Sequence, residues 1–164
     1  MPTDENSSTR NALLAVVAVV VVFAAAALGS AASAPAIATW YGGLAKPFFT
    51  PPNWVFGPAW TTLYVLMAFA FWRVLRLPAS TPGRYAGIVA FVAQLALNAL
   101  WSVAFFAMRS PSSGLVVVLA LWLAIAINIA RFQTLDRIAA WCLAPYLAWV
   151  TFAAALNFGV WLMN

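Results

Sequence analysis

The residues of this sequence that could do chemistry are amides and aromatics set at helical spacing. Gln94, Asn98 and Trp101 lie four and three residues apart, and Phe105 continues the series. That spacing puts all four on one face of a helix. Tyr146, Trp149, Ala153 and Asn157 repeat the pattern near the C-terminus. Trp60, Tyr64 and Phe71 form a third stripe, with Thr61 beside it. Such stripes suit a flat, largely apolar ligand, because ring faces stack on it and a few polar groups orient it. They do not suit an ion or a sugar. The same residue types also have a purely structural use. Intramembrane Asn and Gln hold helices together, and Trp at a membrane interface is an anchor. Trp72, Trp122, Trp141 and Trp161 fit the anchor reading.

Other chemistry is excluded by count. The sequence has no His, one Cys and three acids. Without His it lacks the commonest general base, the commonest metal ligand and the usual haem ligand. Cys142 alone closes no intrachain disulfide and builds no zinc site, so it reads as a small apolar helix residue. Asp4 and Glu5 lie in a polar tail and Asp136 stands between two apolar stretches, so no buried carboxylate pair is available. Ion-coupled transport usually needs ionisable groups at membrane depth, and none is placed there.

Of the 164 residues, 66% are apolar and 7% are charged. A soluble domain carries about 25% charged residues. These figures exclude a water-soluble globular protein and a disordered chain. The net charge of +5 reflects a shortage of acids rather than a basic patch, which excludes a nucleic-acid binder.

The elements that must position the stripes are five apolar stretches, over about residues 11–33, 53–75, 82–108, 111–132 and 136–163. Each is long enough to cross a hydrocarbon core of about 30 Å. In lipid the backbone must satisfy itself, so all are helices. The fold class is an all-α integral membrane bundle of five transmembrane helices. A polar tail covers residues 1–10, and 11–164 form one membrane domain. Thr81-Pro82 and Ser110-Pro111 each place a capping hydroxyl before a proline at the first helical position. Asp136 is an expected N-cap. Short breaks between the last four stretches imply antiparallel neighbours.

The connection over about 34–53 differs. It holds Pro35, Pro47, Pro51 and Pro52, a Gly42-Gly43 pair, and the aromatics Trp40, Tyr41, Phe48 and Phe49. A loop this long is usually functional. It is read as a folded lid on the mouth of the bundle. Ala32-Ser33-Ala34 looks like a signal-cleavage site, but the apolar run from Ala12 to Leu28 exceeds a signal core and the leader is acidic as well as basic. A membrane span is the better reading. Arg10, Arg73, Arg76, Arg84, Arg131 and Arg137 fall on one side, with Lys46 and Arg109 on the other. That bias predicts a cytoplasmic N-terminus and a lid on the opposite face. Gly83 and Gly87 form a small-residue motif that serves either a dimer seam or internal packing. Pro145 is expected to bend the last helix and widen a cavity near Trp149. The odd helix count argues against an inverted-repeat transporter.

Several blocks carry a family resemblance. They are Trp40-Tyr41-Gly42-Gly43-Leu44-Ala45-Lys46-Pro47, Pro51-Pro52-Asn53-Trp54 through Pro58-Ala59-Trp60-Thr61, Gln94 through Asn98 to Trp101-Ser102 with Phe105-Phe106, and Pro145-Tyr146-Leu147-Ala148-Trp149 with Leu156-Asn157. In order and spacing they closely resemble the translocator protein family (TspO/MBR, the tryptophan-rich sensory proteins). The resemblance implies a five-helix bundle, commonly a homodimer. It implies binding of porphyrins such as protoporphyrin IX, and of isoquinoline and benzodiazepine-type compounds. Tyr41, Tyr64, Asn98, Trp101 and Ala153 match pocket positions, and Trp60 and Trp149 match the two tryptophans to which porphyrin degradation is ascribed. Trp40, Trp54 and Tyr146, inside the same blocks, complete the expected ligand set.

Propionates on such a ligand need a cation near the lid, which points to Lys46 and Arg109. No cofactor or metal is required; protoporphyrin IX, or haem held without His, is expected as the ligand, and the bilayer as a partner. The terminal cholesterol motif of animal members is lost, because Phe158 replaces its Tyr and no basic residue follows. Three roles remain open: a porphyrin sensor or buffer, a carrier of tetrapyrrole or lipid, and a light-dependent porphyrin-degrading enzyme with Trp60 and Trp149 as its catalytic residues.

Overall fold

The structure is a computed structural model that describes residues 4–164, with side chains from residue 7 onward. The described residues form five long helices: α1 (Asp4–Thr39), α2 (Phe56–Leu75), α3 (Arg84–Ser102), α4 (Pro111–Leu135) and α5 (Arg137–Met163). All five are long and apolar enough to cross a membrane. Leu13, Val20 and Leu28 of α1 and Val116 and Leu123 of α4 point outward, so the bundle presents an apolar exterior. That is the arrangement lipid requires.

The helices close into a ring in the order α1, α2, α5, α4, α3. Chain direction alternates, so the six arginines of the sequence argument share one end, while Lys46 and Arg109 lie at the lid end. Near the arginine end, Phe71, Phe91 and Phe132 stack face to face across α2, α3 and α4, with centroids 4.4 and 5.9 Å apart. Gly87 allows this approach, because a Cβ there would stand 2.8 Å from a Leu135 methyl. The Gly83–Gly87 motif therefore serves internal packing of α3 on α4.

Two of the expected caps are present. Ser110 Oγ accepts from the Ser113 N–H at 3.3 Å, and Asp136 Oδ1 accepts from the Ala139 N–H at 3.0 Å. Asp136 Oδ2 also pairs with Arg73 Nε at 2.8 Å, tying the start of α5 to the end of α2. The third cap is corrected. Gly83 adopts a left-handed φ of +80°, which a right-handed helix cannot contain, so α3 starts at Arg84 and Thr81-Pro82 belong to the preceding turn. Arg84 then reaches back to the Val74 and Leu75 carbonyls at the end of α2.

The first helix is longer than its sequence suggests. Of the tail expected over 1–10, residues 1–3 lie outside the described residues, and from Asp4 onward the chain is helical. At the other end α1 runs through Pro35 to Thr39. Proline removes one ladder bond, but membrane helices tolerate this when side chains satisfy nearby carbonyls. The carbonyl that Pro35 leaves without its ladder bond is that of Ala31; close by, Ser33 Oγ donates to the Gly29 carbonyl and Thr39 Oγ1 to the Pro35 carbonyl, both at 2.8 Å. The lid is thereby shortened to residues 40–52, followed by a 3-10 turn over Asn53–Val55. The fourth helix also continues three residues past its expected end, to Leu135.

Candidate functional site

A cavity of about 440 Å³ lies in the lid half of the bundle, walled by α1, α2, α3, α5 and the lid. Its lining is mainly apolar and aromatic, within the size range of small-molecule sites. Trp60 is the hub of its wall. The ring stacks on Tyr64 at 5.5 Å, and Trp101, Tyr146 and Trp149 each lie 6.3 Å away. Residues 60 and 64 are one turn apart on α2, so their stacking follows from helical spacing alone.

A hydrogen-bonded chain closes the floor. The Tyr64 hydroxyl donates to Asn98 Oδ1 at 2.9 Å, and Asn98 Nδ2 donates to the Tyr146 hydroxyl at 3.0 Å. Three helices are tied through one amide. Asn98 and Tyr146 are buried, where an unpaired polar group would be costly. Nearer the lid, the Trp101 indole N–H donates to Asn157 Oδ1 at 3.2 Å, and Asn157 Nδ2 donates to the Pro111 carbonyl at 2.7 Å. Gly114 of α4 makes room for this pair, since a Cβ there would meet Asn157 Oδ1 and Phe105 at 2.8 Å.

After Ser102 the third helix widens into one π-helical turn over Val103–Ala107. Such turns often occur at functional sites because they re-aim side chains. Here Trp101, Ser102, Phe105 and Phe106 all reach the cavity. The lid rests on these rings. Trp40 meets Phe105 edge-on at 5.5 Å, and Tyr41 meets Phe106 at 5.6 Å. Burial holds the Tyr41 phenol above its ordinary value.

The expected site residues divide by position. Tyr41, Trp60, Tyr64, Asn98, Trp101 and Ala153 line the cavity itself. Tyr146 lies fully buried beneath the floor. Trp40 and Trp149 stand one ring back, Trp149 covered by Trp60, Phe56 and Phe152. The widening expected beside Trp149 is therefore displaced: Pro145 sits on the exposed side of an unbroken α5, and the space opens around Ala153 and Asn157. Trp54 is 74% exposed on the outer surface. Lys46 does not line the cavity. Its ammonium donates to the Gly42 and Leu44 carbonyls and sits 4.8 Å over the Tyr41 ring, immediately behind the mouth. Arg109 is exposed in the α3–α4 turn, with φ of +50°.

Sequence reasoning missed the α1 wall. Phe23, Ala26, Gly29, Ser30, Ser33 and Ile37 line the cavity. The available signal was Gly29, Ser30 and Ser33 at one-turn spacing inside an otherwise apolar run. Ser30 and Ile37 on α1 and Gly57 and Thr61 on α2 are both exposed and cavity-lining, so the space opens sideways along the α1–α2 seam. Asn128 of α4 was also missed. It and Gln94 are fully buried, and among the described residues neither amide has a hydrogen-bond partner.

A multi-pass membrane bundle with an aromatic cavity under an interhelical lid is the class that this fold and site define. The chain belongs to the TspO/MBR family, which it matches over residues 16–162. It is 42% identical over 144 residues to the tryptophan-rich protein TspO of Archaeoglobus fulgidus, covering 83% of this chain and 87% of that protein. Against the tryptophan-rich sensory protein of Cereibacter sphaeroides the identity is 42% over 125 residues, 76% of this chain and 77% of that one. Against the human translocator protein it is 38% over 126 residues, 76% and 75% of the two chains.

Proposed function

We propose that this membrane protein binds a flat tetrapyrrole of the protoporphyrin IX type in the lid-side cavity and acts as a sensor or regulator of porphyrin level. The observation that carries this reading is the ring cluster on Trp60, which turns aromatic surface toward a cavity of about 440 Å³. A macrocycle gains both burial and ring contact there. The floor amide Asn98 supplies a polar group for orientation. Propionates at the mouth meet the positive charge of Lys46, with Arg109 at the same end of the bundle. Following the arginine bias, the N-terminal end faces the cytoplasm and the lid faces away from it. A homodimer, part of the same reading, uses a surface other than the Gly83–Gly87 motif.

The test is a protoporphyrin IX titration of purified protein, followed by Trp fluorescence in the dark and then under light. Saturable quenching that persists under illumination supports binding. Loss of the porphyrin absorbance under light moves the reading to turnover, with Trp60 and Trp149 as redox-active groups. Absence of saturable quenching sinks the proposal.

A further inference from the structure

One side chain at the far end of α5 hydrogen-bonds the lid backbone. Asn164 Oδ1 accepts from the Ala45 N–H at 3.1 Å, and Asn164 Nδ2 donates to the Ala45 carbonyl at 3.0 Å. The two groups together copy the paired bonds of one strand residue to its neighbour. Asn164 Nδ2 also donates to the Val160 carbonyl at 2.8 Å, which fixes the amide on the last turn of the helix. Two residues along the lid, the Pro47 ring lies against Gly159, where a side chain would collide with it. Two turns back along α5, Phe49 meets Phe152 at 6.3 Å.

The lid segment itself is compact. The Gly43 and Leu44 N–H groups close short turns on the Trp40 and Tyr41 carbonyls, and Lys46 closes a third on Gly42 and Leu44. Of the contacts that hold this compact segment to α5, the Ala45 clasp is the one made by hydrogen bonds, so losing it loosens the lid at that point. Tyr41, which lines the cavity, moves with it. The Ala45–Asn164 bonds are solvent-exposed, and such bonds contribute only about 0.5–1.5 kcal/mol each. A clasp of that strength holds the lid shut for most of the time and still releases it.

We propose that Asn164 is the latch of the lid and sets how readily polar solutes reach the cavity from the lid side. The inference concerns access alone and holds whichever ligand the cavity takes.

The experiment uses the full chain in nanodiscs. A Cys142→Ser, Ala153→Cys background places a single thiol on the cavity wall. Its modification by a membrane-impermeant methanethiosulfonate reagent reports access, while hydrogen exchange of residues 40–47 reports the lid. Asn164→Leu is expected to speed both about five-fold or more, the combined weight of two exposed bonds, with exchange of residues 91–98 unchanged. Gly159→Ala, which pushes Pro47 away from the helix, is expected to do the same from a different residue. Faster lid exchange with an unchanged thiol rate overturns the proposal, since access then runs through the α1–α2 seam. Unchanged lid exchange in Asn164→Leu also overturns it. Failure of protoporphyrin IX to bind leaves both readouts intact and counts against the proposed function alone.

Discussion

Asn98 on α3 donates to the hydroxyl of Tyr146 on α5 at 3.0 Å while accepting from Tyr64 on α2 at 2.9 Å. One amide thus joins three helices directly under the cavity. Its donor and acceptor sides are both used, and Asn98 and Tyr146 are both buried. Replacing Asn98 with Leu keeps the volume but strands a buried tyrosine hydroxyl. The expected loss of stability is about 1–3 kcal/mol. Asn98→Leu with Tyr146→Phe removes the stranded group, so the double variant should recover part of that loss. Thermal unfolding of the three proteins in one detergent checks the cycle; a double variant less stable than Asn98→Leu would contradict it.

Gln94 and Asn128 predict the opposite behaviour. Both are fully buried, and among the described residues their side-chain amides have no hydrogen-bond partner. Phe91 of α3 stacks on Phe132 of α4 one turn away, so the two amides lie at about the same level of the helix pair. An unpaired buried amide is a cost rather than a gain. Gln94→Met with Asn128→Leu should therefore leave the melting temperature unchanged or raise it. A fall of several degrees would mean that the two amides are satisfied in the membrane.

The bundle was legible in the sequence because lipid leaves the backbone no alternative to helices. The floor was legible because Tyr64, Asn98 and Tyr146 each fall in one of the three stripes that helical spacing sets. Three features were not. Pro35 fell in the expected connection, yet α1 runs through it to Thr39, and the lid is shorter for that reason. The α1 wall is built from Gly29, Ser30 and Ser33, small residues that carry no chemical signature until a partner helix faces them. Gly114 and Gly159 act by what they leave out, and what they leave room for comes from distant parts of the chain.

Gly114 gives a direct test of that last point. A methyl group at this position would stand 2.8 Å from Asn157 Oδ1 and 2.9 Å from the Phe105 Cβ. Neither neighbour is the free end of a flexible chain: Asn157 is held by Pro111 and Trp101, and Phe105 by the π-helical turn. Gly114→Ala should destabilise the protein by about 1–3 kcal/mol, the usual cost of overpacking. It should also free the Trp101 indole from Asn157, shifting Trp emission in the absence of any ligand. Serine in its place should behave no better, since the clash is with the Cβ itself. An alanine variant with native melting and native emission would contradict this account of the α4–α5 contact.

Trp60 separates ring contact from simple filling. It stacks on Tyr64 and approaches three further rings, while part of its surface faces the cavity. Trp60→Ala enlarges the cavity and removes the hub, so stability should fall, by less than the ~3–5 kcal/mol of a fully buried large aromatic because this ring is only partly buried. Trp60→Phe keeps a ring of smaller face. Each aromatic pair contributes about 0.5–1.5 kcal/mol beyond burial. Protoporphyrin IX affinity, measured by porphyrin absorbance so that the lost fluorophore does not matter, should drop roughly three- to ten-fold in the Phe variant. Trp149→Phe, one ring further from the cavity, should change affinity less than Trp60→Phe does. Equal losses at the two positions would mean that the porphyrin reaches past Trp60 to the inner ring, and that the wall rearranges when it binds.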